Sequence, residues 1–496
     1  MPISLERFRL THHLANRDAR STECIDAKRR RLLLASAAAG ATILATPSIA
    51  RSCRVGDVVK NVSQLDSVGV ERAFSIHNVD ELRDALRRSE GSIAIGGGRY
   101  SMGGQTAIRC GSHLDIRPLN SVLNFDPENR RIRVQAGARW RDLQSLIDPF
   151  GLSIRTMQSY ANFTVGGSIS VNCHGRYVGH GAIAESIESM TLCLANGEII
   201  STSREQNRDL FAAAIGGYGA VGAIVDATLR LDTNEKISRH LQALPVNEYF
   251  DWVTSEVLRS NSAVMHNADL MPGAWRTARA TTWHRAPTEA TLTTPDRLQD
   301  QNSKYLAQRT AISTLAGSRM ADRVRAKLLD ESNAPPKTIW RNYEASLDVA
   351  SLEPFSRERH SFVLEEFFVP ERNARQFANA LATYLETSAS GTLNVSIRHA
   401  PMDELALMSW AREAVFSFVL YIRVGTSKAA LEAQARWVRA LIDLALLNDG
   451  TYYLPYRLHA TTNQFVRAYP NALQLKRIRN EVSAERFLNT LWEKYL

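Results

Sequence analysis

The 496 residues include 44% hydrophobic and 22% charged side chains, a globular balance that excludes a disordered or fibrous chain and allows two or three domains. The net charge is +9, but residues 1–50 hold eight basic and four acidic side chains, so only +5 is spread over the remainder. That surplus is too thin for a nucleic-acid footprint. Among the five cysteines there is no CxxC and no Cys/His metal spacing. No metal site is expected, and Cys53, Cys110, Cys173 and Cys193 read as buried, unpaired thiols.

Residues 1–50 read as an export signal. Lys28-Arg29-Arg30-Arg31 precedes an apolar run from Leu32 to Leu44, and Thr46-Pro47-Ser48-Ile49-Ala50 ends in small residues suited to cleavage. The run is too short and too mild to be a stable membrane span. Its paired arginines and alanine-softened core are similar to the twin-arginine type, which implies a bacterial protein delivered folded to the periplasm or beyond.

Further along, strands and helices alternate. Asn78, with Glu81 three residues on, predicts a helix start, with Val79, Leu82, Ala85 and Leu86 on one face. A short strand at 92–95 runs into glycines, Arg131–Ala136 alternates as a half-buried strand, and Trp140, Leu143, Leu146 and Ile147 mark a helix. Asn196-Gly197 predicts a hairpin turn. A helix follows at 209–215 and a strand at 223–231. The stretch 236–360 is polar and helix-leaning, with no recognisable motif. Strands return at 362–364, 393–398 and 416–422, a long helix spans 429–447, and 453–460 reads as a strand.

Three glycine clusters stand out. Gly96-Gly97-Gly98-Arg99-Tyr100-Ser101 follows a strand directly and suits a pyrophosphate, because such a loop points backbone N–H groups into one concavity. Thr164-Val165-Gly166-Gly167-Ser168 leads to His174-Gly175 and permits close approach of a flat ligand. The third, Gly217-Tyr218-Gly219-Ala220-Val221-Gly222, spells a literal G-x-G-x-x-G. It comes after a helix and before a strand, the reverse of the nicotinamide fingerprint, which is therefore rejected.

The order of these pieces over roughly residues 70–232 resembles the FAD-binding domain of the vanillyl-alcohol oxidase/p-cresol methylhydroxylase superfamily, in particular its aldonolactone and alditol oxidase branch. The ending from Tyr453-Leu454-Pro455-Tyr456 to Leu496 is similar to the C-terminus of that branch. The resemblance implies an α+β fold: a two-subdomain FAD-binding domain over 65–235, an inserted α+β substrate (cap) domain over 236–450, and a C-terminal segment, 451–496, returning to the FAD domain. It further implies that Gly96, Gly97, Gly98, Arg99, Tyr100 and Ser101 hold the pyrophosphate and that Gly166, Gly167 and Ser168 border the cofactor. His174 and Gly175 then lie near the flavin ring, and Gly222 and Val225 toward the adenine. Many members carry a histidine before the loop serine that bonds covalently to flavin. Tyr100 stands there instead, and no cysteine lies near Ala161–Phe163, so a dissociable FAD is expected.

Oxidation of an alcohol by a flavin needs a base for the hydroxyl proton. Alternation over 453–460 places Tyr453, Arg457 and His459 on one face, with His459 as a proton acceptor. Arg398, on a strand face with Asn394 and Ser396, can grip a polyol oxygen. The family has an acid and an arginine above the flavin, for which Glu366 and Arg398 are the counterparts, with Glu365 facing the other way. The reading is an exported FAD-dependent oxidoreductase acting on a CH–OH group of a small sugar-like, alditol or aldonolactone substrate, with dioxygen or another electron acceptor. The alternatives are a tailoring oxidase of secondary metabolites and a cofactor-free secreted binding protein.

Overall fold

The computed structural model describes residues 55–301, 304–306, 309–310, 335–388 and 391–496, and the export-signal reading falls outside them. The first half forms as its sequence announces. Asn78 caps the helix Val79–Arg88: its side-chain oxygen accepts from Glu81 N at 2.9 Å. Leu82, Ala85 and Leu86 turn to the core. Strands Arg72–Ser75 and Ile93–Gly96 pair in parallel on either side of Ser112–Asp115.

A six-stranded antiparallel sheet is built around Ala223–Thr233, which runs between Ile187–Cys193 and Arg131–Gln135. The hairpin from Ile187–Cys193 to Ile199–Ser203 turns at Gly197, whose φ of +86° suits a residue without a Cβ. The third glycine cluster does sit after a helix, Arg208–Ala214, and before that central strand.

An eight-stranded sheet makes up the other half, in the order Thr338–Trp340, Lys236–Pro245, Ala274–Arg285, Ala263–Met271, Thr392–Ala400, Val415–Gly425, His360–Pro370, Thr451–Tyr452. Four of these strands, Lys236–Pro245, Ala263–Met271, Ala274–Arg285 and Thr338–Trp340, occupy the region expected to lean helical. The physical reason is composition. Ala274–Arg285 reads Ala-Trp-Arg-Thr-Ala-Arg-Ala-Thr-Thr-Trp-His-Arg, so small and polar residues fill a strand whose large apolar members are rare. Its partner in the hairpin is reached through Gly273, at φ +82°.

Helices Glu371–Thr387 and Lys428–Leu447 pack on this sheet. The Phe377 ring of the first lies 6.3 Å from Phe367 and 4.8 Å from Phe418. Ile397 pairs directly with Phe418. By strand alternation, Glu366, Ser396 and Arg398 therefore face away from the helices, and Glu365 faces toward them.

The last segment departs from expectation. The strand ends at Tyr452, and the chain turns through Leu454-Pro455-Tyr456. Proline has no N–H to continue a ladder. Gln105 Nε2 instead donates to the carbonyls of Leu454 (2.8 Å) and Tyr456 (2.7 Å). The chain then runs back over the parallel sheet: Ile93 N donates to Arg486 O at 2.7 Å and Leu488 N to Ile93 O at 2.9 Å. Trp492 Nε1 donates to Gly217 O at 3.0 Å. The halves are also tied by Arg141 to Asp348 at 2.5 Å, a buried ion pair, and by Asp148, which accepts from Asn234 and Asn342.

Cys173 and Cys193 are free and buried as expected. Cys110 is not: it is disulfide-bonded, with its partner outside the described residues. A count of cysteines cannot separate a buried thiol from half of a single bridge.

Candidate active site

The first loop opens a cavity. Strand Ile93–Gly96 ends where a Cβ on Gly96 would lie 2.3 Å from the His113 ring, and one on Gly97 would lie 2.4 Å from Thr164 Oγ1. Arg99 adopts φ +61°, and its guanidinium holds the turn by reaching His113 Nε2 at 3.0 Å and Asp115 Oδ2 at 2.9 Å. The loop from Gly97 to Met102 forms one wall of a cavity; Thr164 and Gly167 of the second cluster border it, and Tyr453, Pro455 and Tyr456 close it from the C-terminal turn.

Three amides in this loop, those of Arg99, Tyr100 and Ser101, meet no acceptor among the described residues. Unspent donors in a loop opened by Gly97 and Gly98 fit a phosphate-bearing ligand. Tyr100 packs its ring on Phe163, centroids 4.6 Å apart, and burial and Asp348 raise its pKa.

A second, more polar chamber adjoins the first. Gln158, Tyr160, Phe163, Tyr453 and Tyr456 line both. Its roof is the helix-free face of the large sheet. Adjacent strands, in register Asp269 to Ser396, present Asn267 and Asp269 beside Asn394, Ser396 and Arg398. Asp269 accepts from Asn394 at 3.1 Å and from Asn267 at 2.9 Å. Burial raises its pKa, partly offset by the Asn394 hydrogen bond and the Arg398 charge. Arg176 is balanced by Glu344 at 3.0 Å. No described residue accepts a hydrogen bond from Arg398, and its Nε is buried without a partner.

Glu366 and His174 meet in this chamber. His174 Nε2 lies 2.7 Å from Glu366 Oε1, close but poorly aligned, and both side chains are at most 5% exposed. Burial pushes the Glu366 pKa up. The close His174 ring, helped by the Arg398 charge, outweighs that and holds it below the usual carboxylate value. Tyr456 Oη donates to Glu366 Oε2 at 3.2 Å. A buried carboxylate kept ionised beside a vacant guanidinium can accept a proton and steady a developing charge.

Of the residues singled out in the sequence, Glu366, Arg398 and His174 share the polar chamber, while Gly97, Gly98, Arg99, Tyr100, Ser101 and Gly167 line the first cavity. Gly96, Gly166 and Gly175 are packing glycines: Cβ atoms there would meet His113, Ala136 and Met157 O at 2.3, 2.6 and 2.4 Å. Ser168 Oγ accepts from Trp140 Nε1 at 3.0 Å and is buried. Gly222 and Val225 line neither cavity; Val225 O accepts from Ala136 N at 2.9 Å.

His459 and Arg457 are not brought to either chamber. The turn at Leu454-Pro455 breaks the alternation on which their placement rested. Arg457 pairs with Asp66 at 2.7 Å, and His459 lies 3.5 Å from Glu365 on the helix side of the sheet. Asn267, Asp269, Arg176 and Gln158 went unnoticed in the sequence, and Tyr456 was named there only within the C-terminal resemblance. The one signal for Asn267 and Asp269 was the alternation Asn267-Ala268-Asp269, matching Asn394-Val395-Ser396.

A glycine-bordered cavity with idle amides adjoins a polar chamber holding a buried acid, a lining that fits a phosphate-bearing group. Residues 71–203 match the FAD binding domain family, and FAD is the cofactor of that half. Over 165 residues the chain is 30% identical to L-gulonolactone oxidase of Bos taurus, covering 32% of this chain and 37% of that one. It is 26% identical over 266 residues to D-arabinono-1,4-lactone oxidase of Kluyveromyces lactis, covering 50% and 47%. The chain thus spans between a third and a half of the length of these curated relatives. In fold it is similar to the crystal structure of cholesterol oxidase from Brevibacterium sterolicum, with a TM-score of 0.68 over 88% of this chain and 96% of that one, at 13% identity.

Proposed function

We propose that the chain is an FAD-dependent oxidoreductase that oxidises a CH–OH group of a sugar-like, alditol or aldonolactone substrate. The observation that carries this is the Glu366–His174 pair, buried at 2.7 Å and facing a hydroxyl-matching wall one chamber away from the glycine loop. Bound FAD supplies the hydride acceptor. The chain does the rest. The loop Gly97–Ser101 offers its amides to the pyrophosphate. Asn267, Asp269, Asn394 and Ser396 alternate donors and acceptors for a polyol. Arg398 holds the reacting oxygen, and Glu366 is the final acceptor of its proton. The names of the relatives, oxidases of gulonolactone and arabinonolactone, support the sugar-like class.

The flavin is held without a covalent bond, since Tyr100 occupies the place of the family's attaching histidine and its ring is engaged with Phe163. Export fits the disulfide at Cys110, because such bonds are rare in reducing compartments. Among the described residues no helix is long and apolar enough to cross a membrane.

The test is anaerobic mixing of the FAD-loaded protein with alditols, aldonolactones and aromatic alcohols. Bleaching of the flavin band by polyhydroxy members is the expected result. Reduction by aromatic alcohols alone would overturn the substrate class. Absence of bound flavin would leave a binding protein. Acid precipitation should release the flavin into the supernatant, and yellow pellets would contradict the dissociable cofactor.

A further inference from the structure

We infer that Tyr456 is the residue that touches the substrate hydroxyl and relays its proton to Glu366. The inference rests on the oxidoreductase reading above and adds a group absent from the expected catalytic set. Glu366 itself is enclosed: it is 2% exposed, with His174 on Oε1 and Tyr456 on Oε2. Tyr456 is half-buried and lines both chambers. A molecule lying between the glycine loop and the polar wall therefore meets the phenol before the carboxylate.

The phenol is also held in place. Gln105 Nε2 grips the Tyr456 carbonyl at 2.7 Å and the Leu454 carbonyl at 2.8 Å, and Met102 N donates to Pro455 O at 2.7 Å. Each clamp comes from the segment just beyond the cofactor loop, so the hydroxyl is fixed relative to that loop. The Tyr453 ring meets it edge-on, centroids 5.6 Å apart. Among the described residues only Glu366 bonds the Tyr456 hydroxyl. Burial and the neighbouring carboxylate keep the phenol protonated at neutral pH. It is therefore the donor to Glu366, with its oxygen lone pairs open to a substrate O–H.

The step balances. The substrate O–H bond breaks and its proton passes to Tyr456 Oη, as the phenolic proton passes to Glu366 Oε2. Bound FAD would supply the acceptor for the C–H electron pair, leaving the substrate carbon and oxygen joined as C=O.

The test is Tyr456→Phe in the full-length, FAD-loaded protein, with the polyol that reduces the wild type fastest. Flavin reduction should slow by about 10²–10⁴-fold, the usual worth of a positioned proton carrier. FAD affinity, read from flavin fluorescence, should change less than about threefold, since the ring remains. The oxidised product, titrated by its perturbation of the flavin spectrum, should bind about 3–10-fold more weakly for want of one hydrogen bond. Glu366→Gln added to Tyr456→Phe should slow reduction little further, because the two act as one unit. A Tyr456→Phe protein that reduces within threefold of the wild type would overturn the relay. If no polyol reduces the wild type, it is the parent reading that fails.

Discussion

Two glutamates, adjacent on one strand, each face a histidine, and they are held in opposite states. Glu366 meets His174 at 2.7 Å in the polar chamber, and its pKa is lowered. Glu365 lies 3.5 Å from His459 on the helix side, and its pKa is raised well above the usual value by burial, with Arg457 only partly opposing. His459 is lowered to about 3 by burial and by the charges of Arg457, Lys494 and Arg439. One pair carries charge into a chamber; the other is a neutral contact inside the fold. Burial is nearly equal in the two, so burial does not decide. What decides is whether the local charges favour the ionised carboxylate.

The largest effect expected from this contrast is catalytic. Glu366→Gln should slow flavin reduction by about 10²–10⁴-fold, whereas Glu365→Gln, which replaces a neutral acid by a neutral amide, should stay within about threefold. Stopped-flow traces of the two variants side by side are the check.

A smaller effect belongs to the cofactor loop. Gly97→Ala would place a Cβ 2.4 Å from Thr164 Oγ1, and the loop must shift to admit it. FAD should then bind about tenfold more weakly, a change of about 1.4 kcal/mol by fluorescence titration. Unaltered affinity would mean that the loop does not border the flavin.

The smallest concerns stability. A histidine lowered to about 3 stays neutral in the fold but protonates in the unfolded chain near 6.5, so the unfolded state takes up more protons on acidification. Stability is therefore lost as pH falls from about 6.5 toward 3, by about 1 kcal/mol over the first unit. His459→Gln should flatten that slope in urea unfolding at pH 6.5 and 5.5 and leave reduction untouched.

The same contrast explains what the sequence made legible. The glycine half could be read because its signals are local: Asn78 with Glu81 at a cap, Asn196-Gly197 at a turn, and a helix ahead of the third glycine cluster rather than behind it. Arg398 with Asn394 and Ser396 was legible by strand parity alone, as was the opposition of Glu365 and Glu366. The rest depends on contacts between distant segments. His459 and Arg457 were misplaced because one proline turn, clamped by Gln105 some 350 residues earlier, replaces the expected strand. Ala263–Met271 and Ala274–Arg285 are strands by virtue of their neighbours rather than their composition. Asp269 and Tyr456 gain meaning only when those neighbours bring them to one chamber.

The most direct test of this contrast needs no substrate. The flavin midpoint potential should be measured in the wild type, Glu366→Gln and Glu365→Gln. If the cofactor's reacting end reaches the polar chamber as proposed, removal of the ionised carboxylate should favour the reduced flavin and raise the potential by about 30 mV or more, equivalent to about 1.4 kcal/mol for two electrons. Glu365→Gln should leave the potential within about 10 mV of the wild type, on the same scale. Equal shifts in the two variants, or a shift only in Glu365→Gln, would contradict the assignment of the charged, reactive face to Glu366.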